Sequence, residues 1–103
     1  MPAYIVARMA IGDVKAFDDY KSRSVAAVQR FGGRFLTRGG QLECLEGTDD
    51  PRRLVILEFY DADQARSFYW SDEYQSARQF RIGATLSMDI VLTQGFEPGH
   101  PSG

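Results

Sequence analysis

The stretch Arg53-Leu54-Val55-Ile56-Leu57-Glu58-Phe59-Tyr60 is the most strand-like in the chain, and its neighbours decide the fold. It is rich in branched and aromatic residues and is bounded by Asp49-Asp50-Pro51 on one side and Asp61 on the other. The segment before it, Arg34 to Glu46, is also β-prone, so two strands follow each other with no helix between them. Arg38-Gly39-Gly40 interrupts that earlier segment. A two-residue hairpin turn there would leave short flanking strands, so the reading preferred is a glycine bulge bending one long strand.

Outward from this pair, Ala3 to Ala10 alternates Ile5, Ala7 and Met9 against Tyr4, Val6 and Arg8, the period of a strand. Gly12 and Asp13 end it. From Val14 the spacing becomes helical through Phe17, Lys21, Val25, Val28 and Phe31; Asp13 suits the N-cap and Gly32-Gly33 the close, which predicts a helix over about 14 to 31. Beyond Tyr60, Asp61 with Gln64 resembles a capping box ahead of a short helix carrying Ala65, Phe68 and Tyr69. Ser71, followed by Asp72 and Glu73, reads as the N-cap of a second short helix carrying Tyr74, Ala77, Phe80, Arg81 and Ala84. Thr85 to Thr93 alternates again as a final strand. The order is β-α-β-β-α-β, an α+β, ferredoxin-like arrangement: a four-stranded antiparallel sheet with its helices on one face.

The other face of that sheet then carries Tyr4, Val6 and Arg8, Leu54, Ile56, Glu58 and Tyr60, and Asp89 with Val91. Solvent does not suit Val6, Leu54, Ile56 and Val91 together, whereas the sheet of a second copy does. The expectation is a homodimer, a dimeric α+β barrel, built from a single domain over residues 1–95 with a flexible tail over 96–103.

Composition narrows the function. The 103 residues hold 12 Lys plus Arg against 14 Asp plus Glu, a net charge of −2, with 44% hydrophobic residues. No basic block offers a footprint for nucleic acid or an anionic membrane, and no apolar run approaches a membrane span. The lone Cys44 and the absence of a signal-like start point to a cytoplasmic protein without disulfides. The one histidine, His100, lies in the Pro/Gly tail, so metal centres and triads that need a histidine in the folded body are not expected, and neither is a cofactor.

The ordered set Gly32-Gly33-Arg34-Phe35-Leu36-Thr37-Arg38-Gly39-Gly40, Leu45-Glu46-Gly47, Leu57-Glu58-Phe59, Ala65 through Phe68-Tyr69, Ser71 and Glu73-Tyr74-Gln75 resembles the family called domain of unknown function 1330, from about Ala3 to Gly95. The resemblance implies a dimeric α+β barrel of ferredoxin-like kind with no established reaction. Its wider relatives include cofactor-independent monooxygenases and isomerases, which by analogy suggests a barrel pocket.

The candidate site residues are few. Glu58 interrupts an apolar strand and needs a partner or a task. Arg8 is the expected ion-pair partner, and the competing role for Glu58 is a general base in a partly desolvated pocket. Arg38, beside two glycines, is placed to clamp a carboxylate or phosphate, or to pair across a dimer. Tyr20 and Tyr74 lie on helical stripes as core residues or orienting hydroxyls, and Arg81 either lines the pocket mouth or caps the last helix. Asp89 is expected to join Glu58 on the outer face. Cys44 reads as a small buried hydrophobe. Two functions remain open: a protein binding a small anionic or aromatic molecule, with proton transfer or oxygenation if it is an enzyme, and a non-catalytic dimeric module.

Overall fold

The computed structural model of the chain describes residues 1–96 and Pro98. The elements are β1 (Ala3–Ile11), α1 (Val14–Arg30), β2 (Arg34–Arg38), β3 (Arg53–Phe59), α2 (Ala62–Tyr69), α3 (Asp72–Arg81) and β4 (Thr85–Gln94). Among the described residues four strands form one antiparallel sheet in the order β2-β3-β1-β4, so the first strand sits in the middle beside both the third and the last. This is the ferredoxin-like arrangement expected from the element order.

Local chemistry sets the helix boundaries. Asp13, Asp61 and Ser71 are the three N-caps, each side chain accepting the backbone N–H three residues on, at 3.1, 2.8 and 3.0 Å. Each such cap contributes about 1 kcal/mol. Helix α1 closes at Phe31, and Gly32, at φ +73°, turns the chain toward β2 in a conformation that side chains with a Cβ resist. The side chain of Gln64 does not complete a capping box; it donates to the carbonyl of Phe31 at 2.8 Å and so ties the start of α2 to the end of α1.

Alternation divides the sheet into two faces. Ile5, Ala7 and Met9 of β1 and Leu57 and Phe59 of β3 turn toward the helices and pack with Phe17, Tyr20, Ala27 and Val28 of α1, Ala65 and Phe68 of α2, and Tyr74 and Ala77 of α3. An aromatic cluster runs through this core: Phe68 lies 5.0 Å from Phe59 and 4.8 Å from Tyr74 between ring centroids.

Two expectations for the middle of the chain need correction. Strand β2 does not continue past the glycines; it ends at Arg38, and its irregularity falls earlier, between Phe35 and Thr37. The Gly39 N–H makes a last bond to the Leu54 carbonyl at 2.9 Å, and with φ +70° the chain then leaves the sheet. Strand β3 begins only at Arg53, so the β-prone residues 41–46 have no strand beside them within the protomer, and propensity alone does not make a strand. Cys44 is accordingly not buried. It is exposed in this loop, with its thiol near the carbonyls of Glu46 and Gly47. The tail containing His100 lies outside the described residues.

Candidate functional site

On the outer face, register decides which side chains meet. Tyr4 stands opposite Glu58 and Thr93, Val6 opposite Ile56 and Val91, and Arg8 opposite Leu54 and Asp89. The result is a central apolar row, Ile56–Val6–Val91, flanked by Leu54 and Tyr4. Charge frames it at both ends. Glu58 accepts from Arg34 Nε at 2.7 Å, while at the opposite end Arg8 meets Asp50 at 3.4 Å, Arg52 meets Asp50 at 3.0 Å, and Arg52 also holds Asp89.

The expected Glu58–Arg8 pair therefore does not form. The two residues lie on one face, but Arg8 is four residues along β1 from the position opposite Glu58, roughly 13 Å at 3.3 Å per residue. Asp89 does not join Glu58 for the same reason. Asp50, in the loop ahead of β3, is the carboxylate that Arg8 finds. Hydrogen bonds from Arg52 hold Asp50 below the usual carboxylate range, and the Arg8 charge adds to the effect. Ionised Asp50 thus favours the folded state above its unfolded-state pKa, and that contribution disappears as the pH falls through the lowered value.

On the helix side, a narrow cleft separates the sheet from α1 and the start of α3, with an internal space of about 50 Å³. That admits a few waters or a short alkyl group; a benzene-sized guest needs on the order of 150 Å³. Its floor is Ile5, Ala7 and Met9, Val55 and Leu57, and Met88 and Ile90, and its wall includes Phe17, Ser24, Phe68 and Tyr69. Tyr20 and Tyr74 meet within it, hydroxyl to hydroxyl at 2.9 Å, with their rings edge to face. Arg38, Arg53 and Lys21 also line it, and no carboxylate does.

Of the residues singled out from sequence, the cleft gathers Tyr20, Tyr74 and Arg38. Glu58, Arg8 and Asp89 do not line it, because their places in the strand alternation turn them to the opposite face. Arg81 is buried in the last turn of α3, where a cation complements the helix dipole, and its guanidinium lies 5.8 Å from the Tyr20 ring, outside the cleft lining. Sequence reasoning missed Arg53 and Lys21. Arg53 shares its parity with Val55, Leu57 and Phe59, which was the available signal for its direction.

Burial is the main cause that pushes the Tyr20 hydroxyl far above the ordinary phenol value of 10.0, with Tyr74 adding to it and the Arg81 charge opposing it. Tyr20 is therefore a neutral hydrogen-bonding group at physiological pH and cannot serve as a phenolate base. Because the folded state holds this proton more tightly than the unfolded one, its contribution is fully present below pH 10.0 and declines above it. Replacing Tyr20 alone by Phe leaves the Tyr74 hydroxyl without its partner and is expected to lower stability by about 1–3 kcal/mol in urea denaturation. The double Phe variant is expected to lose no more than the single one. Strictly additive losses would show that the two hydroxyls are not coupled.

Among the described residues no group of three or more His, Cys, Asp or Glu side chains converges as a metal site, and no helix is long and apolar enough to cross a membrane. What the fold and cleft define is a small ferredoxin-like protein with an apolar, cation-lined cleft on the helix side of its sheet. The chain belongs to the family described as domain of unknown function (DUF1330), whose model matches residues 2–96. No curated protein matches it. Among solved structures it is similar to a protein of unknown function from Rhodopseudomonas palustris, at 16% identity and a TM-score of 0.74, covering 94% of this chain and 84% of that one. It is similar also to a dimeric protein of unknown function and ferredoxin-like fold from Bacteroides fragilis, at 12% identity and a TM-score of 0.62, covering 91% and 96%. A third likeness is to SnoaB, a cofactor-independent oxygenase from Streptomyces nogalater, at 16% identity and a TM-score of 0.64, covering 95% and 96%. At these identities the likeness establishes the fold.

Proposed function

We propose that the protein is a homodimer joined through the outer faces of its sheets, each protomer binding a small organic anion in the cleft between sheet and helices. The observation that carries the binding role is the lining: apolar side chains, a hydrogen-bonded tyrosine pair, and Arg38, Arg53 and Lys21, the last held by Asp18 at 3.1 Å, with no carboxylate in the lining itself. Such a site repels little that is apolar, orients through two hydroxyls and favours negative charge. The dimer is supported by the apolar row Ile56–Val6–Val91 with ion pairs at its ends, the apolar-centre and polar-rim anatomy of a protein interface, and by the dimeric description of the B. fragilis neighbour.

Glu58, Arg8 and Asp89 belong in this reading to the rim of the dimer interface. The acid–base role considered for Glu58 has no support from its position. Cofactor-independent oxygenation is a second reading, favoured by the fold shared with SnoaB; in it the cleft would shield a bound substrate from water while the tyrosine hydroxyls orient it.

Ala7→Leu tests the cleft. Ala7 is buried at the centre of the cleft floor, and the added methyl groups fill the space. The variant is expected to fold with a loss of about 1–3 kcal/mol from overpacking, and to lack the thermal stabilisation that small organic acids are expected to give the parent chain. Undiminished ligand stabilisation in this variant would move the site elsewhere.

A further inference from the structure

Arg53 stands out among the cleft cations because the backbone around it makes room for its head group. The Arg53 guanidinium lies directly against Gly39: a Cβ there would come within 2.2 Å of Nη1 and 2.6 Å of Cζ, so a side chain at this position would push the head group aside. The same glycine has φ +70°, and its N–H is bonded to the Leu54 carbonyl, which fixes the seat against β3. On the other side the guanidinium faces the Phe17 ring at 5.9 Å. The head group thus lies between a glycine and an aromatic ring.

What it lacks is an anion. Among the described residues Arg53 makes no ion pair and no side-chain hydrogen bond, and its Nε is buried without an acceptor. Asp49 lines an open hollow together with Gly39 and Arg53, but its carboxylate is not within ion-pair distance of the guanidinium. Arg38 is its neighbour: it stands opposite Val55 on β2, two residues along β3 from Arg53, and it too forms no ion pair, its guanidinium lying over Phe35 at 4.8 Å. Diagonal positions of this kind on one sheet face are within reach of long side chains. A buried guanidinium donor such as Arg53 Nε is seldom left without an acceptor, and with the exposed Arg38 beside it at the edge of a cleft lined by no carboxylate the pair forms a receptor for one.

We propose that Arg53, seated by Gly39, and Arg38 form a two-arginine clamp for the carboxylate of a short-chain organic acid whose alkyl tail enters the cleft toward Tyr20 and Tyr74. The size of the space selects the tail: at about 50 Å³ it takes a chain of a few carbons and excludes a ring in this conformation. The inference rests on the cleft being the binding site and adds the class of ligand and the residues that hold its charge.

Calorimetric titration of butyrate, butyramide and inorganic phosphate into the full chain and into Arg53→Met tests it. Butyrate is expected to bind at least about tenfold more tightly than butyramide, and Arg53→Met to weaken butyrate at least about tenfold while leaving butyramide unchanged. Arg53→Lys, which keeps the charge but loses the planar fork, is expected to fall between the two. If butyrate and butyramide bind alike in both proteins, the clamp is wrong and the cleft stands. Phosphate binding as tightly as butyrate would overturn the organic-acid class in favour of a general anion site. If neither butyrate nor butyramide binds, the clamp and the cleft both fall.

Discussion

Aspartate in place of Val6 is expected to leave the protein monomeric, weakening self-association at least about a thousandfold. Val6 sits in the centre of the outer-face row between Ile56 and Val91, on the middle strand of the sheet. In a two-fold dimer the substitution acts twice, once from each protomer, and each new carboxylate loses its water with no cation opposite it. An unpaired charge in such a place costs several kcal/mol, and each 1.4 kcal/mol is a factor of ten. The nearest cations are already engaged: Arg8 and Arg52 by Asp50, and Arg34 by Glu58. Folding itself does not depend on this position, because the buried core lies on the opposite face. Sedimentation equilibrium is therefore expected to give twice the 11.6 kDa chain mass for the parent protein and a single chain mass for Val6→Asp, with far-ultraviolet circular dichroism unchanged. A parent chain that sediments as a monomer, or a variant that remains a dimer, would show that this face is not the interface.

Truncation of Phe68 to alanine is expected to cost about 3–5 kcal/mol of stability, a large share of the roughly 5–15 kcal/mol that holds a domain of this size. Phe68 is 2% exposed and is the residue of α2 on which the aromatic core converges: Phe59 from the sheet, Tyr74 from α3 and Phe31 from the end of α1. Removing its ring opens a cavity that these fixed rings cannot fill by moving together, and it also enlarges the wall of the cleft. Urea denaturation measures the loss through the midpoint at unchanged slope. A change under about 1 kcal/mol would mean that α2 is not anchored by this contact.

Much of this architecture could be read from local pattern. The alternation in Ala3–Ile11 and the three N-caps at Asp13, Asp61 and Ser71 determine the strand and helix starts through chemistry confined to a few residues. Alternation also assigns faces, which is why Val6, Ile56 and Val91 can be placed together from sequence alone. Register is different. Whether Arg8 or Tyr4 stands opposite Glu58 depends on how two distant strands slide, and nothing local to either strand fixes that. The pairing of Arg8 with Asp50 was hidden for a further reason, since it depends on the path of the loop after Gly39. The same loop explains Cys44: a β-prone segment without a neighbouring strand stays outside the sheet. Arg53 opens a strand whose apolar run masks it, although its parity with Val55 and Leu57 points it to the helix side.

The two faces divide the charged residues into two sets with different tasks. Arg8, Arg34, Arg52, Asp50, Glu58 and Asp89 satisfy one another on the outer face, and that mutual satisfaction suits a rim. Among the described residues Arg38 and Arg53 on the inner side have no such partners. This asymmetry supports the assignment of small-molecule binding to the helix side and of self-association to the other.

Amide chemical-shift mapping of the isotopically labelled protein during a butyrate titration tests that division most directly. The expected result is a set of saturable shifts at Ile5, Ala7, Leu57 and Gly39, centred on the cleft and the Arg53 seat, with Tyr4, Val6 and Ile56 nearly unmoved. Shifts centred on Tyr4, Val6 and Ile56 would contradict it and place the ligand on the outer face of the sheet.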